Sequence, residues 1–316
     1  MRFNIEKHTC YLTKHGSHAY GTNIATSDID HRGIAIPPKE YFFGFSHKFE
    51  QQEQIASNSS DKDEVIFDIR KFFKLASECN PNVIEIIHTD PSDIIYINDI
   101  GLSIVENREL FLSKRVRDTF MGYAHAQLKR IKTHRNWLLT PPSSRPMRSE
   151  FGLSEKNNEI VNKSTLGAVN YLIESGEHNL SSSIMEVVHR EKQYNSALQH
   201  WNQYNSWKES RNKARAELEA KFGYDTKHAM HLIRLMRMCV EIIDGKGVNV
   251  RRPDAQELLE IRHGIWSYER LIEEAEALEK LSKERIEVSS LPSKVDYNKL
   301  DALCVELVER HLFNNR

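Results

Sequence analysis

The first hundred residues alternate short apolar runs with polar turns, a pattern typical of strands joined by short connections. Strands are predicted at Met1–Ile5 and Cys10–His15, along the segment that ends at Pro37-Pro38, and again at Glu64–Ile69. The two prolines end the third strand because proline cannot donate a hydrogen bond to a neighbouring strand. The polar stretch Gln51–Lys62 contains serines and lacks periodicity, which predicts a loop.

Helical periodicity appears first at Arg70–Cys79, and a further segment, Val83–His88, follows the turn Asn80-Pro81-Asn82. From Leu102 onward this periodicity dominates. The predicted helices are Leu102–Leu139, Ser183–Phe222, Thr226–Asp244, Pro253–Ile261, Ser267–Arg285 and Asp296–Leu312. The pattern therefore predicts an α+β protein. A small mixed-sheet domain occupies residues 1–100, and a mostly α-helical region at 101–316 carries a polar insertion near residues 140–220.

Composition narrows the class of protein. The 316 residues can bury one large or two ordinary domains. The 44 Lys and Arg balance the 45 Asp and Glu, so there is no overall basic field of the kind that attracts nucleic acid, although the count still permits a local basic patch. The mean hydropathy is −0.58, and no apolar run reaches the ~18 residues of a membrane span. The N-terminus also lacks a signal-peptide layout. We therefore expect a cytoplasmic protein with no membrane association.

The cysteines and histidines do not suggest a metal site. The four cysteines, Cys10, Cys79, Cys239 and Cys304, are scattered without C-x-x-C spacing, which favours reduced, buried thiols. The 15 histidines are dispersed and show no H-E-x-x-H spacing. Candidate chemistry must therefore come from other residue types.

The stretch Gly16–Gly33 concentrates that chemistry. In an extended segment Asp28 and Asp30 project from one face, and two carboxylates so close repel unless a cation lies between them. Mg²⁺ is the usual partner because it prefers oxygen ligands. Upstream, Gly16-Ser17 follows an apolar run and offers backbone amides and a hydroxyl to a phosphate. The alternative is that Asp-x-Asp merely complements a turn.

These residues carry a resemblance. Gly16-Ser17 followed by Asp28-x-Asp30 resembles the signature of the DNA polymerase β superfamily of nucleotidyltransferases. The fuller form, with Tyr20-Gly21-Thr22 and Ser27-Asp28-x-Asp30-x-Arg32-Gly33, is similar to the predicted branch associated with RNA ligases and RNA repair. The stretch DIRKFFKLASECNPNVIEII, which begins at Asp68, resembles the same branch.

Asp68 is a charged residue among apolar neighbours at the end of the strand Glu64–Ile69. The resemblance implies that it is the third metal-binding acid, on a strand beside the Asp-x-Asp strand. A buried carboxylate also needs a partner, which agrees with a metal role. The alternative is that Asp68 caps the helix that starts at Arg70.

The segment Lys221–Arg237 is the second informative motif. An apolar helical pattern begins just after Asp225, which is therefore a predicted N-cap. Lys227, His231 and Arg234 fall at i, i+4 and i+7 and form a cationic ridge. The predicted buried stripe consists of Ala229, Leu232, Ile233, Met236, Val240 and Ile243.

The ridge has two interpretations. On spacing alone it is a solvated basic face. However, the residues FGYDTKHA and HLIRL, together with RHGIWSYERL at residues 262–271, resemble C-terminal motifs of the family. On that basis Lys227, His231 and Arg234 are candidate contacts to triphosphate or RNA phosphates.

The resemblance implies a metal-dependent enzyme that transfers NMP from an NTP to a hydroxyl acceptor and releases pyrophosphate. The implied acceptor is an RNA 3′ end, such as that of a tRNA. Two Mg²⁺ or Mn²⁺ ions would be held by Asp28, Asp30 and Asp68. The candidate nucleotide-binding residues are Gly16, Ser17, Tyr20, Arg32, Lys227, His231 and Arg234. The alternatives are AMPylation of a protein or small molecule, and a non-catalytic nucleotide sensor. Arg32 has the further alternative of pairing with Asp28 or Asp30.

Overall fold

The computed structural model describes residues 3–54, 62–154, 181–211 and 213–313, together with residues 167, 169, 171, 172 and 174–176. Its described strands are β1 (Thr9–His15), β2 (Ile29–Ala35), β3 (Gln51–Gln54), β4 (Lys62–Asp68) and β5 (Ile94–Ile97). They form one sheet in the order β3-β4-β2-β1-β5.

The sheet is mixed. β2 runs antiparallel to β1 and parallel to β4, while β3 and β5 pair antiparallel at the two edges. The register places Asp30 of β2 between His15 of β1 and Asp63 of β4. The parallel pairing aligns the starts of β2 and β4, so acids near those starts share one end of the sheet.

Helices surround and follow the sheet. The described helices of the N-terminal region are α1 (Gly16–Tyr20), α2 (Glu40–Phe43), α3 (Ile69–Ser77), α4 (Pro81–Ile87), α5 (Asp99–Glu106) and α6 (Arg115–Leu139). Those that follow are α7 (Ser182–Ser210), α8 (Lys213–Phe222), α9 (Thr226–Ile243), α10 (Ala255–Arg262), α11 (Tyr268–Val288) and α12 (Tyr297–Phe313). This arrangement confirms the predicted α+β class.

The chain divides into two compact units, one made of Met1–Ile131 and Asp225–Arg316 and the other of Lys132–Tyr224. The first unit contains the sheet. In the second unit the Trp137 indole donates a hydrogen bond to Nε2 of His200 over 2.8 Å. The domain boundary at residue 100 stays a prediction. The unit that contains the sheet also includes residues 101–131 and 225–316.

The apolar stripe predicted in the C-terminal region forms the core side of α9. All six of its members are buried, and α9 packs against α10 and α11. Asp225 caps α9 as predicted, because its carboxylate accepts a hydrogen bond from the backbone N–H of His228 over 2.9 Å. Local signals therefore placed this helix correctly.

Three predictions of secondary structure were wrong. Residues 3–5 are not a strand, and Gln51–Gln54 forms the edge strand β3, while residues 55–61 lie outside the described part. The helix predicted at Leu102–Leu139 is divided between α5 and α6. The chain turns between these helices because Phe111 is buried there, with its ring 5.1 Å from that of Phe73.

No helix in the described part of the chain is both long enough and apolar enough to cross a membrane.

Candidate active site

Gly16 lies where β1 ends and α1 begins, and its φ of +64° is in the left-handed region that favours glycine. A Cβ atom at this position would overlap Oδ2 of Asp30. The first turn of α1 continues with Ser17, whose carbonyl accepts a hydrogen bond from Thr22 N–H over 2.9 Å. The absence of a side chain thus allows the backbone to touch the carboxylate of Asp30.

Asp28 and Asp63 lie near Asp30 at this end of the sheet. Asp28 is exposed directly before β2, and Asp30 is half-buried and in register with Asp63 of β4. Burial raises the pKa of Asp30; Arg32 and Lys227 act to lower it, and the neighbouring Asp63 and Asp28 act to raise it. The site therefore combines mutually repelling acids with two cations, an arrangement that further positive charge would stabilise.

Arg32 lies beside these acids. Its Nη2 is 3.8 Å from Oδ1 of Asp30, and its Nη1 donates hydrogen bonds to the carbonyls of His31 over 2.7 Å and Asp63 over 3.1 Å. The side chain thus bridges β2 and β4. This geometry agrees with the alternative in which Arg32 pairs with an acid of the Asp-x-Asp motif.

Asp68 is not brought to the other predicted ligands. It pairs in register with Ala35, five positions along β2 from Asp30, which corresponds to roughly 16 Å along a strand. Its carboxylate accepts a hydrogen bond from Arg70 N–H over 2.7 Å and forms an ion pair with Nη2 of Arg70 at 2.8 Å. Asp68 therefore caps α3, which is the alternative use of this residue.

Asp63 of β4, and not Asp68, is the acid in register with Asp30. Sequence reasoning missed it because Asp63 falls between the predicted loop Gln51–Lys62 and the predicted strand Glu64–Ile69. The register of β4 against β2 is a long-range property that local patterns do not reveal. The available signal was an acid close before an apolar strand.

Tyr20 and Arg234 form a buried network with Glu85 of α4. The Tyr20 hydroxyl donates to Oε2 of Glu85 over 2.5 Å, and Nη1 of Arg234 donates to Oε1 over 2.5 Å. The guanidinium of Arg234 also lies 3.8 Å from the centre of the Tyr20 ring. Glu85 is fully buried. Tyr20 and Arg234, the two predicted nucleotide contacts, therefore bind this carboxylate, and the Arg234 guanidinium also stacks on the Tyr20 ring. The signal for Glu85 was an acid inside the apolar run VIEII.

His15, at the end of β1, adjoins the same network. Its Nε2 is 3.6 Å from Oε2 of Glu85 and 3.3 Å from the carbonyl oxygen of Asn82. Burial lowers the pKa of His15 to about 4 even though Glu85 acts in the opposite direction. The ring is therefore neutral at pH 7.

The ridge of α9 faces the protein rather than solvent. Lys227 acts on the ionisation of Asp30, while burial, with Arg234 and Lys227 nearby, lowers the pKa of His231 well below its usual range. Tyr20, His231 and Arg234 line a cleft of about 730 Å³ whose other wall is α6. The structure thus brings Lys227 to the acids and the other two ridge residues to the adjoining cleft.

Comparison with known proteins agrees with this geometry. Residues 3–139 match the RNA repair pathway DNA polymerase beta family, RlaP. The resemblance stated from sequence is thereby confirmed over the sheet, α1 and the Asp-x-Asp motif. The RlaP match supports a nucleotidyltransferase-like role for this chain.

A relative of this chain is an uncharacterized 38.9 kDa protein of the nrdC–mobD intergenic region of Enterobacteria phage T4. It is 29% identical over 120 residues, which is 35% of this chain and 35% of the phage protein. The match thus spans about a third of that relative. No solved structure matches this chain.

Nucleotidyltransferases related to polymerase β typically use divalent metal ions, and the acids at the start of β2 and β4 fit such an ion. All the donors of Asp28, Asp30 and Asp63 are carboxylate oxygens, which hard cations prefer. The neighbouring acids act to raise the pKa of Asp30, so a bound cation would relieve their repulsion. The donor chemistry and the charge therefore both suit Mg²⁺ or Mn²⁺.

Proposed function

We propose that this protein is a metal-dependent nucleotidyltransferase that transfers NMP from an NTP to a hydroxyl acceptor and releases pyrophosphate. The observation that carries the proposal is that Asp30 lies against the Gly16 backbone, in register with Asp63 and close enough to Asp28 for both acids to act on its ionisation. Lys227 adds a cation next to the acids. The RlaP match supports the same reaction class.

In this proposal Asp28, Asp30 and Asp63 hold the divalent ions, and Asp68 has no ligand role. When bound, two such ions supply charge neutralisation of the triphosphate and a lowered pKa for the attacking hydroxyl. The backbone amides of Gly16 and Ser17 bind the β- and γ-phosphates, and Lys227 neutralises the triphosphate charge. Arg32 orients Asp30.

The bond changes follow from these roles. The acceptor oxygen attacks the α-phosphorus and its proton passes to solvent water, while the bond between the α-phosphorus and the bridging oxygen breaks. Pyrophosphate leaves with the bridging oxygen. Tyr20 and Arg234, tied to Glu85, hold α1 in position for phosphate binding.

The proposed acceptor is an RNA 3′ end, such as that of a broken tRNA. The description of the matched family as an RNA repair pathway family supports this choice. A protein or small-molecule acceptor and a non-catalytic sensor are the competing outcomes of the test below.

The test is transfer of label from each α-labelled NTP, with Mg²⁺ or Mn²⁺, to total RNA that contains intact and cleaved tRNA. Asp30→Asn and Asp63→Asn should lower the rate by at least about 100-fold, since each removes charge that acts on the transition state. Asp68→Asn is the matched control and should retain transfer, because its carboxylate caps α3.

Thermal unfolding gives a readout that does not need an acceptor. Mg²⁺ should raise the Tm of the wild type and of Asp68→Asn, but not that of Asp30→Asn or Asp63→Asn. Label on protein instead of RNA would show that the acceptor is a protein and that the reaction is AMPylation. Nucleotide binding without transfer to any acceptor would favour the sensor, and full activity in Asp63→Asn would overturn the proposed ligand set.

A further inference from the structure

A cavity of about 740 Å³ lies at the N-terminal end of α6, outside the proposed catalytic site but within the same compact unit. Its cationic lining is Lys114, Arg115, Arg117 and Lys294, and the acid among the lining residues is Asp118. Four cations thus line one cavity of a protein that has almost no net charge.

Three of the four cations that line the cavity have no carboxylate partner among the described residues. Arg117 pairs with Asp118 at 3.0 Å. Throughout the part of the chain that the structure describes, no carboxylate lies within ion-pair distance of the side chains of Lys114, Arg115 or Lys294. The start of α6 also carries the positive end of the helix dipole, where further cations are unfavourable. An anionic ligand would relieve this repulsion.

The cavity adjoins the cleft beside the candidate active site. Asp118 and Thr119 line both the cavity and the cleft that contains Tyr20, His231 and Arg234. Arg130 adds a cation to the cleft. The two depressions therefore form a path along α6.

The path extends in the other direction as well. Ser77 and Tyr297 line both the cavity and a depression of about 270 Å³, which in turn shares Arg70 and Lys74 with a hollow of about 670 Å³. The hollow is lined by Lys48, Arg70, Lys71 and Lys74, with Glu50 and Asp68. Arg70 pairs with Asp68 and Lys71 with Glu50, so Lys48 and Lys74 are the two cations of the hollow that these acids do not neutralise. We call these four connected depressions the basic groove.

Exposed aromatic rings accompany the cations. Tyr123 in the cleft is 37% exposed, Tyr297 in the cavity is 53% exposed, and Phe45 in the hollow is fully exposed. Grooves that combine cations with exposed rings bind single-stranded nucleic acid through phosphate contacts and base stacking. A mononucleotide would fill one of the four depressions, whereas a Lys or Arg side chain lines every one of them.

We propose that the basic groove binds the phosphate backbone of a single-stranded polynucleotide whose 3′ end lies in the active-site cleft. The position of that end rests on the proposed function, but binding along the groove does not. The groove thereby defines the acceptor as a strand with several upstream phosphates.

The test measures fluorescence anisotropy of labelled oligouridylate of about 16 and about 4 nucleotides, the span of typical single-strand sites. The variant is Lys114→Gln/Arg115→Gln/Lys294→Gln, and the charge-matched control is Lys7→Gln/Lys246→Gln/Lys280→Gln, whose lysines are exposed and do not line the groove. The groove variant should bind the longer strand about 10- to 100-fold more weakly and lower the salt-dependence slope by about two. The control variant should bind the longer strand as tightly as the wild type, and the groove variant should keep its affinity for NTP.

Equal affinity and slope in the groove variant and its control would overturn the proposal, as would failure of the wild type to bind the longer strand. Transfer to RNA that is unaffected in the groove variant would leave the proposed function standing without the groove. Groove-dependent binding in the absence of any transfer would support the groove and contradict the proposed function. If the triple variant does not fold, Lys294→Glu on an exposed residue makes the same comparison.

Discussion

Gly16 is required for two independent reasons, its left-handed backbone and its contact with Asp30. Gly16→Ala should therefore lose nucleotide transfer and destabilise the protein by more than the ~1–2 kcal/mol that a left-handed alanine costs. Transfer assays and urea unfolding measure the two effects.

Gly245→Ala is the matched control for this prediction. Gly245 has a φ of +75°, but an added Cβ there meets no atom within 4 Å. The control should lose only the backbone contribution and keep full transfer. Equal losses of stability in the two variants, with activity retained, would show that contact with Asp30 does not matter.

His15 should make stability depend on pH. Its pKa is about 4 in the folded protein and about 6.5 in the unfolded chain. The unfolded chain therefore binds an additional proton between these values, so the free energy of unfolding falls as pH decreases from about 6.5 to about 4, by at most roughly 3 kcal/mol. Above that window the contribution of His15 is constant.

Urea unfolding across this pH range tests the prediction. His15→Gln should show a smaller loss of stability between the two pKa values than the wild type. The exposed His47→Gln serves as control and should follow the wild type. An unchanged slope in His15→Gln would contradict the buried neutral ring.

At the residue scale, local spacing predicted part of the site. Gly16, Asp28 and Asp30 lie close together in sequence, and their proximity in space follows from one turn and one strand. Asp63 and Glu85 are different, because they reach the site through strand register and through packing of α4 under α1. Neither strand register nor helix packing can be read directly from a single sequence.

Among elements, the ion pair of Arg234 and Glu85 ties α9 to α4, with both side chains almost fully buried. Arg234→Met or Glu85→Gln should each destabilise the protein by about 3–5 kcal/mol, since either leaves a buried partner uncompensated. Urea unfolding measures these changes.

The double variant Arg234→Met/Glu85→Met separates the ion pair from the loss of packing. Its loss of stability should be smaller than the sum of the losses in the single variants Arg234→Met and Glu85→Met, because neither charge is left alone. Additive losses would mean that the two side chains stabilise the fold independently.

The helices also show what periodicity predicts well. The stripe of α9 follows one helical face and was predicted residue by residue. The division of Leu102–Leu139 into α5 and α6 was not, because the turn depends on burying Phe111 against Phe72 and Phe73, which come from α3. The apolar periodicity continues through this turn, so the local sequence does not indicate that one helix ends and another begins.

For the whole molecule, the region that matches RlaP is smaller than the compact unit that contains the sheet. The backbone N–H of Arg252 donates to the carbonyl of Tyr20 over 3.1 Å, and Arg262 donates to that of Thr22 over 3.1 Å. A fragment of residues 3–139 should therefore fail to unfold cooperatively in urea, as monitored by circular dichroism.

A fragment that joins residues 1–131 to 225–316 through a flexible Gly-Ser linker is the matched comparison. It retains α9 and both contacts to the end of α1, so it should unfold in one cooperative transition. Cooperative unfolding of the shorter fragment would show that the sheet does not need the C-terminal segments.

The buried pair of Glu85 and Arg234 also has a consequence during synthesis on the ribosome. When Glu85 leaves the exit tunnel, the codon for Arg234 has not been read, and 149 residues of chain separate the two. In the nascent chain α4 consequently carries a buried-type acid without its partner, so its final packing must wait for α9. The contact between α4 and α9 can thus form only after all the helices between them have been synthesised.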